Sequence, residues 1–245
     1  MKVRVKYAKT GPLKFISHLD VMRYFQKNIR RAGLDIAYST GLSPHQIISF
    51  AAPMPLMLTS EAEYFDAEFL SLPGHDEMIR RLNETGTPLM AVSDAAVLPE
   101  KAMNSMAAVT ASSYVVTLTE KGRHEMGEIW EASVPSVVSG LVDESKIVVI
   151  KKTKKKEEPT DIRPMIHQLG FDAGSSDRET GTVHMLLAAG SKVNLRPEQI
   201  LTELCRRLEC PYDRFHYDIH RTETYMDAPD GEGFLPLIEA GDRNF

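Results

Sequence analysis

His18 and His45 are the residues best suited by type and position to do chemistry. His18 opens a helix-forming stretch, and His45 ends the turn Gly41-Leu42-Ser43-Pro44-His45. Histidine titrates near neutral pH, so two rings facing one groove can serve as general base and general acid, or can together hold a phosphate. A helix that begins at His18 adds its first backbone amides to such a site. The plainer reading is that each ring orders its own loop. No HExxH or CxxC spacing accompanies them, which argues against a zinc centre. We expect the two rings to converge on one pocket at the rim of a sheet, with Pro12, Pro44 and the Gly41 turn stiffening the loops around it.

A second kind of chemistry, charge recognition, is written beside the first. At 100° per residue, Leu19, Met22, Phe25, Ile29 and Ala32 fall on one arc of a helix, and Arg23, Lys27, Arg30 and Arg31 fall on the neighbouring arc. Lys14 lies at the rim of that basic face. Residues 1–58 contain nine Lys and Arg against only Asp20 and Asp35, within a chain of net charge −5. A basic segment in an acidic chain suggests an anionic partner, and Tyr24 and Tyr38 offer base stacking nearby. Further along, Lys151, Lys152, Lys154, Lys155 and Lys156 form a basic run, followed by Glu157 and Glu158. It reads either as an RNA-backbone contact or as a charged surface loop. Asp161 and Arg163 flank one apolar residue; they either brace the loop or orient an anion.

Those residues need a frame. The first half reads as β-α-β-β-α-β: a strand over 2–8, a helix from His18 to about Ala32, short strands near 35–38 and 46–52, a strand near 62–70, a helix near 75–85 and a strand near 89–97. Ser17-x-x-Asp20 is a capping-box start for the first helix, and Gly33 is its stop. The second half repeats the order, with a strand over 113–119, a helix over 123–132, a strand over 146–151, a hairpin within 166–189, a helix over 197–208 and a strand over 213–222. The fold class expected is α+β, with two tandem ferredoxin-like (split βαβ) units built on antiparallel sheets. Residues 1–98 form the basic N-terminal domain, 99–112 the connector, 113–225 the second domain and 226–245 a loosely ordered acidic tail. A 42% hydrophobic content supports a true core. Cys205 and Cys210 are the only cysteines, and no apolar run reaches the length of a leader or a membrane span. We therefore expect a cytoplasmic protein without a membrane partner.

The runs KFISHLDVMRYFQKNIRRAGLDIAYSTGLSPHQIISFAAPMPL and TKKKEEPTDIRPMI resemble the bacterial radical SAM-linked proteins, an uncharacterised family whose members are fused to, or encoded beside, a radical SAM protein. The resemblance runs from Val3 to about Arg221 and is most specific from Phe15 to Phe50. Where many relatives read Gly-Phe-Asn-Pro-His, this chain reads Gly41-Leu42-Ser43-Pro44-His45. Where they carry Pro-Leu-x-x-Gly, it has Pro55-Leu56-Met57-Leu58-Thr59. The resemblance implies a radical SAM partner that brings an iron–sulfur cluster and S-adenosylmethionine; two cysteines cannot supply the usual three cluster thiolates, so no cofactor is expected in this chain. With the basic face, it implies an RNA-binding accessory protein presenting substrate to that enzyme. Two alternatives stand beside it: a metal-independent RNA endonuclease using His18 and His45, and a protein-interaction or small-anion module without nucleic acid.

Overall fold

The computed structural model describes residues 1–152, 157–174, 180–191 and 193–245. In chain order the elements are β1 (Lys2–Lys9), α1 (His18–Arg31), β2 (Ile48–Phe50), β3 (Leu58–Glu68), α2 (His75–Glu84), β4 (Val92–Val97) and α3 (Ser105–Ala108). There follow β5 (Ala111–Leu118), α4 (Glu120–Asp143), β6 (Val148–Lys152), β7 (Glu157–Asp161), β8 (Ile166–Asp172), β9 (Thr182–Ala188), α5 (Pro197–Arg207), β10 (Tyr217–Asp227) and β11 (Phe234–Pro236). The fold is mixed α+β with a mostly antiparallel sheet. It divides into two compact units, one of Met1–Ala111 with Arg221–Phe245 and the other of Ser112–His220.

In the first unit the strand order is β4-β1-β3, with β2 antiparallel to the end of β3 and β11 antiparallel to the last residues of β10. Val3, Val5, Phe65 and Ala67 from the strands meet Phe25 and Ile29 of α1 and Met78 and Leu82 of α2 in one core. The helix forms where its local signals place it. Ser17 Oγ accepts from the Asp20 amide at 3.3 Å, and Asp20 Oδ2 accepts from the Ser17 amide at 3.2 Å. The chain leaves α1 through Gly33 at φ 63°, a conformation that costs glycine little. Ser17→Ala is expected to lower stability by about 0.5–2 kcal/mol in urea unfolding, with ligand binding retained; an unchanged midpoint would remove the cap from the account.

Two expectations about this unit are corrected. The stretch 99–112 contains α3, whose Asn104 cap accepts from the Ala107 amide at 2.9 Å and whose Ser105 amide donates to Asp66 at 2.7 Å. The tail after Met226 is packed rather than loose. Leu237 and Ile238 are buried, the Leu237 carbonyl accepts from Arg4 at 3.0 Å, and Arg243 bonds Asp94 and Glu239. Of its acidic residues, Glu239 pairs with Arg243, and Asp230 and Asp242 accept from the Glu232 and Asn244 amides.

In the second unit the order is β10-β5-β9-β8, with β10 contributing its residues through His220, and β6–β7 pair as a separate hairpin. The helix expected over 123–132 runs to Asp143 as α4, with Pro135 inside it. Its buried residues Gly122, Met126, Trp130, Val134, Val138 and Leu141 keep one continuous stripe past the proline. Burial of that stripe outweighs the roughly 3 kcal/mol an interior proline costs. Gly122 is required by proximity, since a Cβ there would lie 2.2 Å from the His216 carbonyl oxygen.

Candidate functional site

The first unit holds a group of charged side chains that are nearly sealed from solvent. Lys9 ends β1, and its burial continues the inward positions Val3, Val5 and Tyr7. A register irregularity between Tyr7 and Lys9 shifts the strand end against β3. Lys9 is 3% exposed, Glu63 5% and Arg221 4%. Arg221 donates to Glu63 Oε1 at 2.9 Å and to the Ala52 carbonyl at 3.3 Å. The Lys9 ammonium donates to the Ile16 carbonyl at 3.2 Å, which ties the end of β1 to the turn that leads into α1. No described carboxylate lies within ion-pair distance of Lys9.

His18 faces the same place. It shares a small cavity with Tyr7, Lys9, Phe50 and Glu63, and its ring meets Phe50 edge-on at 5.3 Å. The cavity has about 10 Å³ of room, enough for roughly one water or one ligand oxygen. Burial, with help from Lys9, holds the His18 imidazole below its usual range against an opposing pull from Glu63. Burial also pushes the Lys9 ammonium down, Glu63 opposing and Arg221 reinforcing. Tyr7, in register opposite Glu63, is pushed well up by burial and then by that carboxylate. The site therefore combines a neutral imidazole, a destabilised ammonium and an internal Arg–Glu pair.

His45 does not join it. Its ring is in an exposed turn, where Nδ1 hydrogen-bonds Ser39 Oγ at 2.9 Å and the backbone amide donates to the same oxygen at 3.1 Å. His45 is not among the residues lining the His18 cavity. The expected two-histidine pocket is corrected accordingly. The hairpin Tyr38–Gln46 closes locally, so the ring orders its own turn.

The basic arc is where the helical spacing placed it. Arg23, Lys27, Arg30 and Arg31 are all exposed on α1, while Val21, Phe25 and Ile29 bury the opposite side. Arg30 Nε donates to the Gln26 carbonyl at 3.2 Å, and none of the four makes an ion pair with a described residue. Lys14 sets its ammonium 5.6 Å from the Phe15 ring centre. Lys151 and Lys152 lie on β6 opposite Glu158 and Glu157. Lys154 and Lys155 fall outside the described residues. Arg163 is committed to structure: its guanidinium donates to the carbonyls of Glu144, Ile166 and Val142 at 3.0, 3.1 and 3.0 Å. Asp161 Oδ1 meanwhile accepts from the Ile147 and Arg163 amides. The pair braces the loop through main-chain bonds.

Lys9, Glu63 and Arg221 were not anticipated. Alternation along β1 carries a signal for Lys9, because a strand whose odd positions are buried puts residue 9 inside. Glu63 and Arg221 carry none, since their pairing joins residues 158 positions apart. Among the described residues, no group of three or more His, Cys, Asp and Glu is arranged to hold a metal ion, and no helix is long and apolar enough to cross a membrane.

Residues 2–197 match a family described as uncharacterized protein conserved in bacteria, DUF2344, and the chain belongs to that family. No curated protein matches the sequence. Among solved structures, a chain in the crystal structure of a Cbf5-Nop10-Gar1 complex is similar at 8% sequence identity and a TM-score of 0.47. That match covers 91% of this chain and 48% of the other, so this chain spans about half the length of the one it matches. A likeness at that level carries no argument here.

Proposed function

We propose that this family member is an RNA-binding accessory protein that presents its substrate to a radical SAM partner enzyme. The observation that carries the RNA part is the exposed face of α1, with Arg23, Lys27, Arg30 and Arg31 free of ion-pair partners among the described residues. Surface cations are ordinarily interspersed with carboxylates, which neutralise them locally. Here the helix is fixed by its buried side and capped at its start, so the four charges are held as a row. A row of that kind releases counterions from a phosphate backbone. Lys14 extends it at one end, and the run from Lys151 to Lys155 belongs to the proposal through sequence only.

The partner enters through the resemblance of the Phe15–Phe50 segment. In this reading the partner holds the iron–sulfur cluster and S-adenosylmethionine, and this chain selects and orients the RNA. We also read each unit as a ferredoxin-like plan. Support comes from the order β4-β1-β3 with β2 on β3 in one unit, and from β10-β5-β9-β8 in the other.

The test is Arg30→Glu/Arg31→Glu. Both residues are exposed, so the variant should fold. Affinity for single-stranded RNA is expected to fall, and the slope of log affinity against log salt to flatten by roughly 0.7 per lost contact. Unchanged affinity and slope in the folded variant would overturn the RNA reading. Crosslinking in cells tests the partner, which is expected to be recovered as a radical SAM protein together with bound RNA.

A further inference from the structure

We propose that the cavity between Lys9 and His18 is a binding site for a singly charged oxyanion that enters by one oxygen. The inference stands independently of RNA binding by the α1 face.

Three ionised side chains at this place are each at most 5% exposed: Lys9, Arg221 and Glu63. Arg221 and Glu63 pair at 2.9 Å and neutralise each other. Lys9 is left as one buried positive charge whose hydrogen bond goes to a neutral carbonyl, that of Ile16. Glu63 acts on Lys9 only from beyond ion-pair distance, a buried charge without a direct counter-ion is costly, and an ammonium offers three protons of which Ile16 takes one. Among the described residues no other acceptor meets Lys9.

Shape and lining define the ligand further. Lys9 lines a cavity with room for about one oxygen, together with His18, Phe50 and Glu63, whose carboxylate is engaged by Arg221. The room admits one oxygen of a larger group and excludes the group itself. Two chemistries present such an oxygen with a single negative charge: a carboxylate and a phosphodiester. One charge balances the single excess cation, and the imidazole supplies a second hydrogen bond from the wall. Tyr7 and Phe50 are buried beside these charged groups and limit the water around them, which strengthens a charge-assisted contact.

The full chain is titrated at constant ionic strength with sodium acetate in one arm and dimethyl phosphate in the other, following the His18 and His45 ring protons by NMR. A saturable shift confined to His18 is expected, and His45, outside the cavity, serves as the internal control. Saturation by acetate alone assigns the site to carboxylates, and by dimethyl phosphate alone to a polynucleotide backbone; saturation by both leaves charge and size as its selectivity. Lys9→Met keeps the length of the side chain and removes the charge, and should weaken binding about tenfold or more. Arg30→Glu/Arg31→Glu should leave these titrations unchanged, which separates this site from the helix face. If neither probe moves His18 in the wild-type protein, or if both histidines move alike, the proposal is overturned; that outcome does not depend on whether Lys9→Met folds.

Discussion

Asp66→Ala is expected to destabilise the protein by about 3–5 kcal/mol, because it leaves the Arg4 guanidinium charged and unpaired in the core. Both side chains are fully buried. Asp66 Oδ1 accepts from Arg4 Nε at 2.8 Å, and Oδ2 accepts from Arg4 Nη2 at 3.1 Å and from the Ser105 amide at 2.7 Å. Arg4 in turn donates to the carbonyls of Leu237 and Met103, each at 3.0 Å. One carboxylate thus holds β1, β3, α3 and the packed C-terminal segment in a single hydrogen-bonded knot. Replacing both charges, as in Arg4→Met/Asp66→Leu, should recover part of the loss, since no isolated charge remains. Recovery should be incomplete, because the Ser105 amide and two carbonyls still lose their partners. Urea unfolding measures the loss, and hydrogen exchange at the Ser105 amide locates it. A loss below about 1 kcal/mol would contradict the buried-pair argument.

What could be read in the sequence was what short-range physics determines. The α1 start at His18, its Ser17–Asp20 box and its exit at Gly33 depend on residues within one or two turns, and all three are found. The helix α2 likewise lies within its expected span. α4 runs past the span expected for it and through Pro135, which removes a donor and crowds the preceding turn. The stripe from Met126 to Leu141 decides instead, and its worth depends on strands that no local window contains. The segment after Met226 packs for the same kind of reason: Leu237 and Ile238 enter the core and the Asp242 backbone bonds Val97, contacts that no local window contains.

The candidate site divides along the same line. His18 was conspicuous because it begins a capped helix, and the basic arc because helical periodicity gathers it. Lys9 was legible only by extending the β1 alternation one step past its apolar residues, against the expectation that lysine lies outside. Glu63 sits in the run Glu61-Ala62-Glu63-Tyr64, where nothing distinguishes the inward carboxylate from the exposed one. Arg221 meets it only through tertiary pairing. His45 shows the reverse: a residue of the right type, in a suggestive turn, whose hydrogen bonds turn out to be local.

Trp130→Ala should cost the second unit about 3–5 kcal/mol. Trp130 is buried on α4, where its ring lies 6.2 Å from Phe171 and 5.7 Å from Tyr217. Its Nε1 donates to the Gly181 carbonyl at 2.7 Å, and Glu131 on the next position of the helix accepts from the Gly181 amide. Adjacent residues of α4 thus grip both sides of one glycine. That glycine has no room for a side chain, because a Cβ would lie 2.1 Å from the Phe171 ring. Alanine at 130 removes the aromatic packing and strands the Gly181 carbonyl as well. Trp130→Phe separates the two effects: it keeps most of the apolar contact and loses only the donor, so its expected cost is about 1–3 kcal/mol. Since Trp130 is the chain's one tryptophan, circular dichroism rather than fluorescence must follow the unfolding. Equal losses for the two variants would assign the whole effect to the hydrogen bond and refute the packing argument.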